Sequence, residues 1–293
     1  MISVLGDTLK SALMNRAERR RQEKTARKQP AGEDTQRLTI QALKTRLQQA
    51  ASPEEVRRII TTLVTQGLPA AAGEELAAYA AEYHEATTVL RAGKEAEAVT
   101  ALVDNAHAWA DMMIDRSPER DRRACRAGCA FCCYLPVVLV SAAEAVHLAA
   151  WLRARCSPEE LAALRQRLAD RSRQSRAPAS ASHRESLHPC ALLRDNQCMA
   201  YPARPLKCRG WNSLRREACE QAYGPGQSLG QVPADAHAFV IGNAVLNGLS
   251  EGATHAGLDG DSYDLTFALA RALEIPDAVR RWRNGERLFA ADR

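Results

Sequence analysis

Cys125-Arg-Ala-Gly-Cys129-Ala-Phe-Cys132-Cys133 places four thiols within nine residues. A second window runs from Cys190 to Cys208 and adds three more. Seven of the nine cysteines therefore lie in two short windows, far denser than composition alone would give. Cysteines two to four residues apart can bend around one soft metal ion, so the windows predict a metal site that organises the surrounding fold.

The residues themselves do not choose the metal. Zinc takes four thiolate or imidazole ligands in a tetrahedron, whereas an iron–sulfur cluster takes thiolates from a compact motif plus a remote cysteine. Adjacent side chains generally point apart, so one of Cys132 and Cys133 is expected to serve a second metal, bridge two metals or stay free as a nucleophile. The candidate metal ligands are Cys125, Cys129, Cys132, Cys133, Cys190, Cys198 and Cys208.

Three other residues must be considered as possible metal ligands. His188 precedes Cys190 by two residues, and Cys219 follows the second window. Cys156 has no other cysteine near it in sequence and is predicted to be a bystander. The sequence leaves open whether His188 or Cys219 is a ligand.

Cationic residues flank the cysteines. Positive charge lowers the pKa of a nearby thiol and favours the thiolate that binds metal. Arg204 and Arg209 bracket Cys208 and are the best candidates to support the ligands, while surface solvation is the alternative for the whole group. The flanking cations are Arg122, Arg123, Arg126, Arg204, Lys207 and Arg209.

The composition predicts a folded, mainly α protein. The 293 residues are 46% hydrophobic and only 5% aromatic, which provides a core and favours helices over sheets. The net charge of +5 arises in the first 30 residues, which carry eight Lys or Arg against three Asp or Glu. We expect this arm to be solvated, with contact to a membrane surface, nucleic acid or an acidic partner as the alternative. Because the rest of the chain is about neutral, nucleic acid is not an expected partner of the protein as a whole.

The cysteines and the N-terminal sequence together predict a reducing, cytoplasmic setting. Secreted disulfide scaffolds are usually short and carry a signal peptide. Asp7 and Lys10 interrupt the apolar character of the first residues, and no run approaches the length of a membrane span. We therefore expect free thiols and no transmembrane segment.

Four segments are predicted. They are a basic arm and linker over 1–34, a helical domain over 35–120, a loop-rich, metal-stapled cysteine-cluster domain with a helical hairpin over 121–215, and a C-terminal helical cap over 216–293. N-terminal capping motifs at Ser52, Ser141 and Ser157 mark three helix starts.

Two features are less determined. The apolar and β-branched run 135–140 is too short to settle as a strand or an extended core segment. His84 and His107 fall in the helical domain and are predicted to be structural or surface histidines. His107 lies in a helix whose predicted apolar side carries Val99, Leu102, Val103, Ala106, Trp109 and Met113.

The cysteine windows resemble the bacterial YkgJ-like cysteine cluster proteins, the zinc- or iron-chelating CxxCxxCC family. The resemblance covers about residues 121 to 215, roughly a third of the chain, and implies metal chelation. A related cysteine pattern in flagellin lysine methylases keeps an enzymatic role open. The pattern consists of the group ending in Cys132-Cys133, the run 137–140, Glu144, Cys190, Cys198-Met-Ala-Tyr201-Pro-Ala-Arg204-Pro205 and Cys208-Arg209.

Three functions follow as hypotheses. The preferred one is a cytoplasmic metal-chelating protein that binds zinc or iron, the iron as an iron–sulfur cluster, through the clustered thiolates. The second is a metal-dependent redox or group-transfer enzyme of methylase-like type, because seven thiols exceed the four positions of one tetrahedral metal. The third is a helical interaction module in which residues 35–118 bind a protein partner and the metal is structural.

Overall fold

The computed structural model describes residues 41–126, 128–134, 137–175, 188–222 and 232–289. Within these ranges 67% of the residues are helical and 5% lie in strands, which confirms the mainly α fold class. The predicted basic arm and linker over 1–34 lies outside the described residues. Helix α1 (41–48) belongs to a separate unit that ends at Gln49, and everything from Ala50 onward forms one compact unit. The segment boundaries predicted at 120 and 215 fall inside this second unit and stay predictions.

The first helices of the compact unit are α2 (Pro53–Thr65), α3 (Ala70–Ala92) and α4 (Ala96–Ile114). Helix α2 begins where its capping motif predicts. The Glu55 N–H donates to Ser52 Oγ at 3.2 Å, and the Ala51 N–H donates to Glu55 Oε2 at 2.8 Å. These bonds satisfy amides that the helix start would otherwise leave unpaired.

Helix α4 buries the apolar side that its periodicity predicts. Trp109, at the edge of that side, is only half-buried. His107 is also buried within it, at 4% exposure, which rules out the surface position that the sequence left open. The buried members of the predicted stripe are Val99, Leu102, Val103, Ala106 and Met113.

The run after the first cysteine window is a short strand. Strand β1 (Leu139–Ser141) pairs antiparallel with β4 (Ser262–Asp264), with Val140 opposite Tyr263. For the run 135–140, whose first two residues lie outside the described ranges, this pairing shows a strand from Leu139 onward. Because the partner lies far along the chain, the local sequence could not indicate it.

Helices α5 (Ala142–Arg155) and α6 (Pro158–Ser175) follow β1, and both pack against α10 (Leu265–Glu274). Both begin with the predicted capping motif, at Ser141 and Ser157 respectively. Arg153 of α5 donates to the Leu273 carbonyl at the end of α10 at 2.9 Å. A guanidinium there satisfies a carbonyl that the last helical turn leaves free.

The second cysteine window is built from short elements. Strands β2 (Leu193–Arg194) and β3 (Gln197–Cys198) form a hairpin, which turns through Asp195 and Asn196 at φ of 51° and 59°. Two consecutive residues of positive φ are typical of the tight hairpin turn that Asp and Asn tolerate best. A 3₁₀ turn (Tyr201–Ala203), α7 (Leu206–Gly210) and α8 (Arg216–Gln221) complete this region.

Helix α9 (Ala236–His255) packs against α3, α4 and α7. Helix α11 (Ala278–Arg283) follows α10. Along α3, a Cβ at Gly248 would lie 2.5 Å from the Tyr79 carbonyl oxygen. Along α7, a Cβ at Gly242 would lie 2.9 Å from the Gly210 Cα. Real Cβ atoms do not approach so closely, so glycine is required where α9 meets each neighbouring backbone.

Across the part of the chain that the structure describes, no helix combines the length and apolar character needed to span a membrane.

Candidate metal centre

Backbone hydrogen bonds bring the two cysteine windows together. The Cys190 N–H donates to the Cys133 carbonyl at 2.7 Å. At the other end of the first window, the Ala124 N–H donates to the Ser213 carbonyl at 2.8 Å, and the Ser213 N–H donates to Cys125 Sγ at 3.2 Å. The chain between the windows therefore leaves the region and returns to it.

The seven predicted cysteines, hereafter the thiol cluster, occupy one electrostatic neighbourhood, and all are free thiols. Cys132 is the interaction partner that they share. Cys190, Cys198 and Cys208 interact electrostatically with Cys132 and with one another, and Cys133 interacts with Cys132, Cys190 and Cys198. Cys125 interacts with Cys132 and Cys129.

Cys219, whose role as a ligand the sequence left open, interacts electrostatically with part of the thiol cluster. Its charge interacts with those of Cys129 and Cys132, and its side chain is buried in a small apolar cluster with Ala218, Ala222 and Val232. Cys156 interacts with Glu160 and Arg194 instead of with any thiol, as expected of a bystander. The thiol cluster therefore has a neighbour that spacing alone could not place.

The thiols of the cluster are not arranged as the ligands of one metal ion. Among the described residues, no three of these sulfurs lie within 4.8 Å of one another. A tetrahedral site with metal–sulfur distances of about 2.3 Å needs closer sulfurs than that. Binding of one metal by four of these thiols therefore requires the short elements that carry them to draw together.

Burial and mutual proximity keep most of these thiols protonated. Burial raises the pKa of Cys190 to about 11, and burial likewise raises the pKa of Cys208 well above its usual value. The hydrogen bond with the Cys133 thiol lowers the pKa of Cys132 to about 7, and the same pairing raises the pKa of Cys133. Several thiolates so close together require positive charge among them.

The donor set suits a thiolate-bound metal. The Ser213 N–H donates to Cys125 Sγ at 3.2 Å, and the backbone at Leu192 and Ala200 opposes the rise that burial causes in the pKa of Cys190 and Cys198 respectively. Such N–H···S bonds orient metal-binding sulfurs and stabilise their negative charge.

The flanking arginines divide into two roles. Arg204 lies over the Tyr201 ring, 4.2 Å from its centroid, and its charge lowers the pKa of Cys198 and Cys208 against the larger effect of their burial. Arg209 instead holds backbone, since it donates to the Arg204 carbonyl at 2.8 Å and pairs with Asp111 of α4. Arg204 therefore acts on the sulfurs directly, whereas Arg209 acts on the backbone that carries them.

Glu144 connects the thiol cluster to the helices. Its Oε2 accepts from the Ser141 N–H at 3.0 Å, which completes the capping box of α5. Its Oε1 accepts from the Leu206 N–H at 2.8 Å, at the first residue of the helix that carries Cys208. Burial alone would raise the pKa of Glu144, but the adjacent His107 and these backbone N–H groups hold it below its ordinary value.

A set of ionisable side chains from α4 and α5 lies next to Glu144, and the sequence analysis did not predict it. His107 of α4 and His147 of α5 are 4% and 1% exposed, and Asp104 lies one helical turn before His107. Burial lowers the pKa of His147 against the opposing charge of Asp104, which favours the neutral imidazole. The available signal was a repeated acid-x-x-His spacing, Asp104 to His107 and Glu144 to His147.

Comparison of the chain with protein-family models, curated proteins and solved structures gives no match.

Proposed function

We propose that the chain is a cytoplasmic metal-chelating protein that binds zinc or an iron–sulfur cluster through the thiolates of the thiol cluster. The single observation that carries this proposal is the joining of two distant sequence windows by the backbone hydrogen bond from Cys190 to Cys133, with all seven thiols free. The resemblance to YkgJ-like proteins points the same way.

The electrostatics support the proposal further. Buried thiols that raise one another's pKa are a costly arrangement, because each thiolate repels the next. A bound cation removes that repulsion and replaces the protons. Thiolates suit zinc and iron–sulfur clusters equally, so the donor set leaves the choice between them to experiment.

Elemental analysis and the visible absorption spectrum of protein purified without oxygen test the proposal. Iron with acid-labile sulfide and a thiolate charge-transfer band would identify a cluster, and colourless protein with stoichiometric zinc would identify a zinc site. Cys129→Ser and Cys198→Ser should each lower the metal content, while Cys156→Ser is the matched control and should not. Full metal content and stability in both test variants would refute the ligand set.

A metal-dependent redox or group-transfer enzyme is the second candidate. Cys125 favours it, because this member of the thiol cluster is exposed and seven thiols exceed four tetrahedral positions. Alkylation of the metal-loaded protein, followed by mass spectrometry, separates the two functions. Modification of Cys125 alone would support a reactive thiol, and protection of all seven would support chelation.

A further inference from the structure

Three helices bring four buried ionisable side chains into the interior of the compact unit. Glu82 comes from α3, His107 from α4, and Glu144 and His147 from α5, and each is at most 4% exposed. Asp104 of α4 lies beside them with its carboxylate open to solvent, at 59% side-chain exposure. Asp104, His107, Glu144 and His147 are hereafter called the histidine–carboxylate cluster.

Each histidine of the cluster lies near an acid from the opposite helix. His147 Nε2 is 2.9 Å from Asp104 Oδ1, and His107 Nε2 is 3.5 Å from Glu144 Oε1. The two imidazole rings meet edge to face, with their centroids 5.7 Å apart. One ligand atom from each of Asp104, His107 and His147 lies within 4.8 Å of the other two, which is the spacing of donors around one ion.

Helix geometry explains this convergence. Residues at i and i+3 share a face of an α-helix, so Asp104 and His107 project together from α4, and Glu144 and His147 project together from α5. Two facing helices that each carry an acid and a histidine at this spacing can build a metal site in a helical core.

Within the described part of the chain, Nδ1 of both rings has no hydrogen-bond partner, and each Nε2 faces only the carboxylate oxygen named above, without hydrogen-bond geometry. Glu82 Oε1 has no partner there either. A neutral imidazole carries one N–H donor and one lone pair, and leaving such groups buried and unpaired costs about 1–3 kcal/mol each. A ligand that accepts the lone pairs of both rings at once would remove much of that cost.

We propose that Asp104, His107 and His147 bind a divalent first-row transition ion, at a site distinct from the thiol cluster. Two imidazoles and one carboxylate are the donor set that zinc and ferrous iron both accept with coordination positions left over. The exposed carboxylate of Asp104 gives the ion a route from solvent. Glu144 is a positioning residue here, since it lies against His107 while its oxygens are engaged by Ser141 and Leu206.

Cobalt(II) binding to the full-length protein tests the site, because cobalt reports its donor atoms. Thiolate coordination gives intense sulfur-to-cobalt charge-transfer bands, whereas nitrogen and oxygen donors give only weak d–d bands. Asp104→Asn and His147→Gln should each lose one equivalent of bound cobalt and the weak bands, with the charge-transfer bands unchanged. Glu97→Gln is the matched control, because it removes an exposed carboxylate from the same helix.

Asp104→Asn keeps the test decisive if His147→Gln disturbs folding, because Asp104 is exposed. Circular dichroism should show wild-type helix content for it. Unchanged cobalt stoichiometry and unchanged weak bands in folded Asp104→Asn would overturn the proposal and leave a buried water as the partner of the two rings. Failure of the thiol-cluster proposal has a different signature, namely the absence of charge-transfer bands in the wild-type protein.

Discussion

Glu144 connects the thiol cluster, through Leu206, with the histidine–carboxylate cluster to which it belongs, and the two clusters are built in opposite ways. The thiols stand on turns, a two-residue hairpin and short helices, joined by a few backbone hydrogen bonds. The histidines stand in the middle of α4 and at the start of α5, among fully buried apolar side chains. Short elements with little core cannot hold their own geometry, whereas long packed helices can.

This difference indicates whether the ligand or the surrounding fold fixes the geometry of each cluster. If the thiol cluster binds the proposed metal, the metal itself must provide much of the folding free energy there, as in small metal-stapled domains. For the histidine–carboxylate cluster the framework is provided by packed helices, and the proposed ion would only satisfy it. One region is expected to be ordered by its ligand and the other to select its ligand.

Removal of the metal is the largest test of this contrast. A strong chelator should abolish hydrogen-exchange protection over residues 128–134 and 188–208, because metal binding contributes about 10–16 kcal/mol to folding in the simplest thiolate sites. Protection in α3, α4 and α9 should survive. Treatment with the metal-saturated chelator is the control, and equal loss of protection in both regions would break the contrast.

Glu144→Ala should be the most damaging single substitution, since it affects both regions. It leaves the buried N–H groups of Ser141 and Leu206 without an acceptor, with an expected loss of about 3–5 kcal/mol in the free energy of unfolding. Urea unfolding measures this loss. Glu160→Ala removes the same capping box from an exposed helix start and should cost much less. Equal losses would show that Glu144 acts only as a cap.

Glu82→Gln tests how much the burial of an ionisable carboxyl group destabilises the helical region. Burial, and then the charges of Glu85 and Glu144, raise the pKa of Glu82 from 4.5 to about 8. Between these values the folded state holds a proton that the unfolded state releases, so stability falls as pH rises, by about 1.4 kcal/mol per pH unit. The loss is complete above the folded pKa and absent well below the unfolded one.

Glu82→Gln cannot release that proton, so it should remove this slope and stabilise the protein by roughly 3 kcal/mol near pH 7. Urea unfolding between about pH 5 and pH 8 measures the slope. Glu85→Gln, on the exposed side of the same helix, is the control and should leave most of it. Parallel pH profiles for wild type and Glu82→Gln would show that Glu82 is already ionised when buried.

The smallest expected effect concerns Asp104 without metal. If the histidine–carboxylate framework precedes its ion, Asp104→Asn should change the stability of metal-free protein by no more than about 0.5 kcal/mol, as at most exposed positions. Thermal unfolding in the presence of chelator measures this, with Glu97→Gln alongside. A large loss would mean that Asp104 holds α4 and α5 together through His147 even without an ion.

Local signals were enough for the helices of this protein. Ser52, Ser141 and Ser157 each begin a helix as predicted, because a capping motif is complete within four residues of sequence. The mainly α fold class follows from such signals together with apolar periodicity. The strand at Leu139 stayed open, because its partner at Asp264 is brought to it only by the folded chain.

The sites show the same limit. The spacing of the cysteines predicts a shared site, but not that Cys132 interacts with thiols of both windows or that Cys219 interacts with Cys129 and Cys132. His107 looks like an ordinary core histidine in its own helix. Only the packing of α5 against α4 places His147 beside it, and no local pattern specifies that packing.

The glycine contacts of α9 carry a consequence for how this protein can diverge. Gly248 and Gly242 fix the separation of α9 from α3 and from the helix that bears Cys208, and no change of rotamer can relieve a clash between backbones. Ligand cysteines can shift by a residue if the surrounding loop adjusts, whereas these glycines have no substitute. In distant relatives we therefore expect the glycine spacing along α9 to outlast the cysteine spacing, which makes it the better marker of common descent.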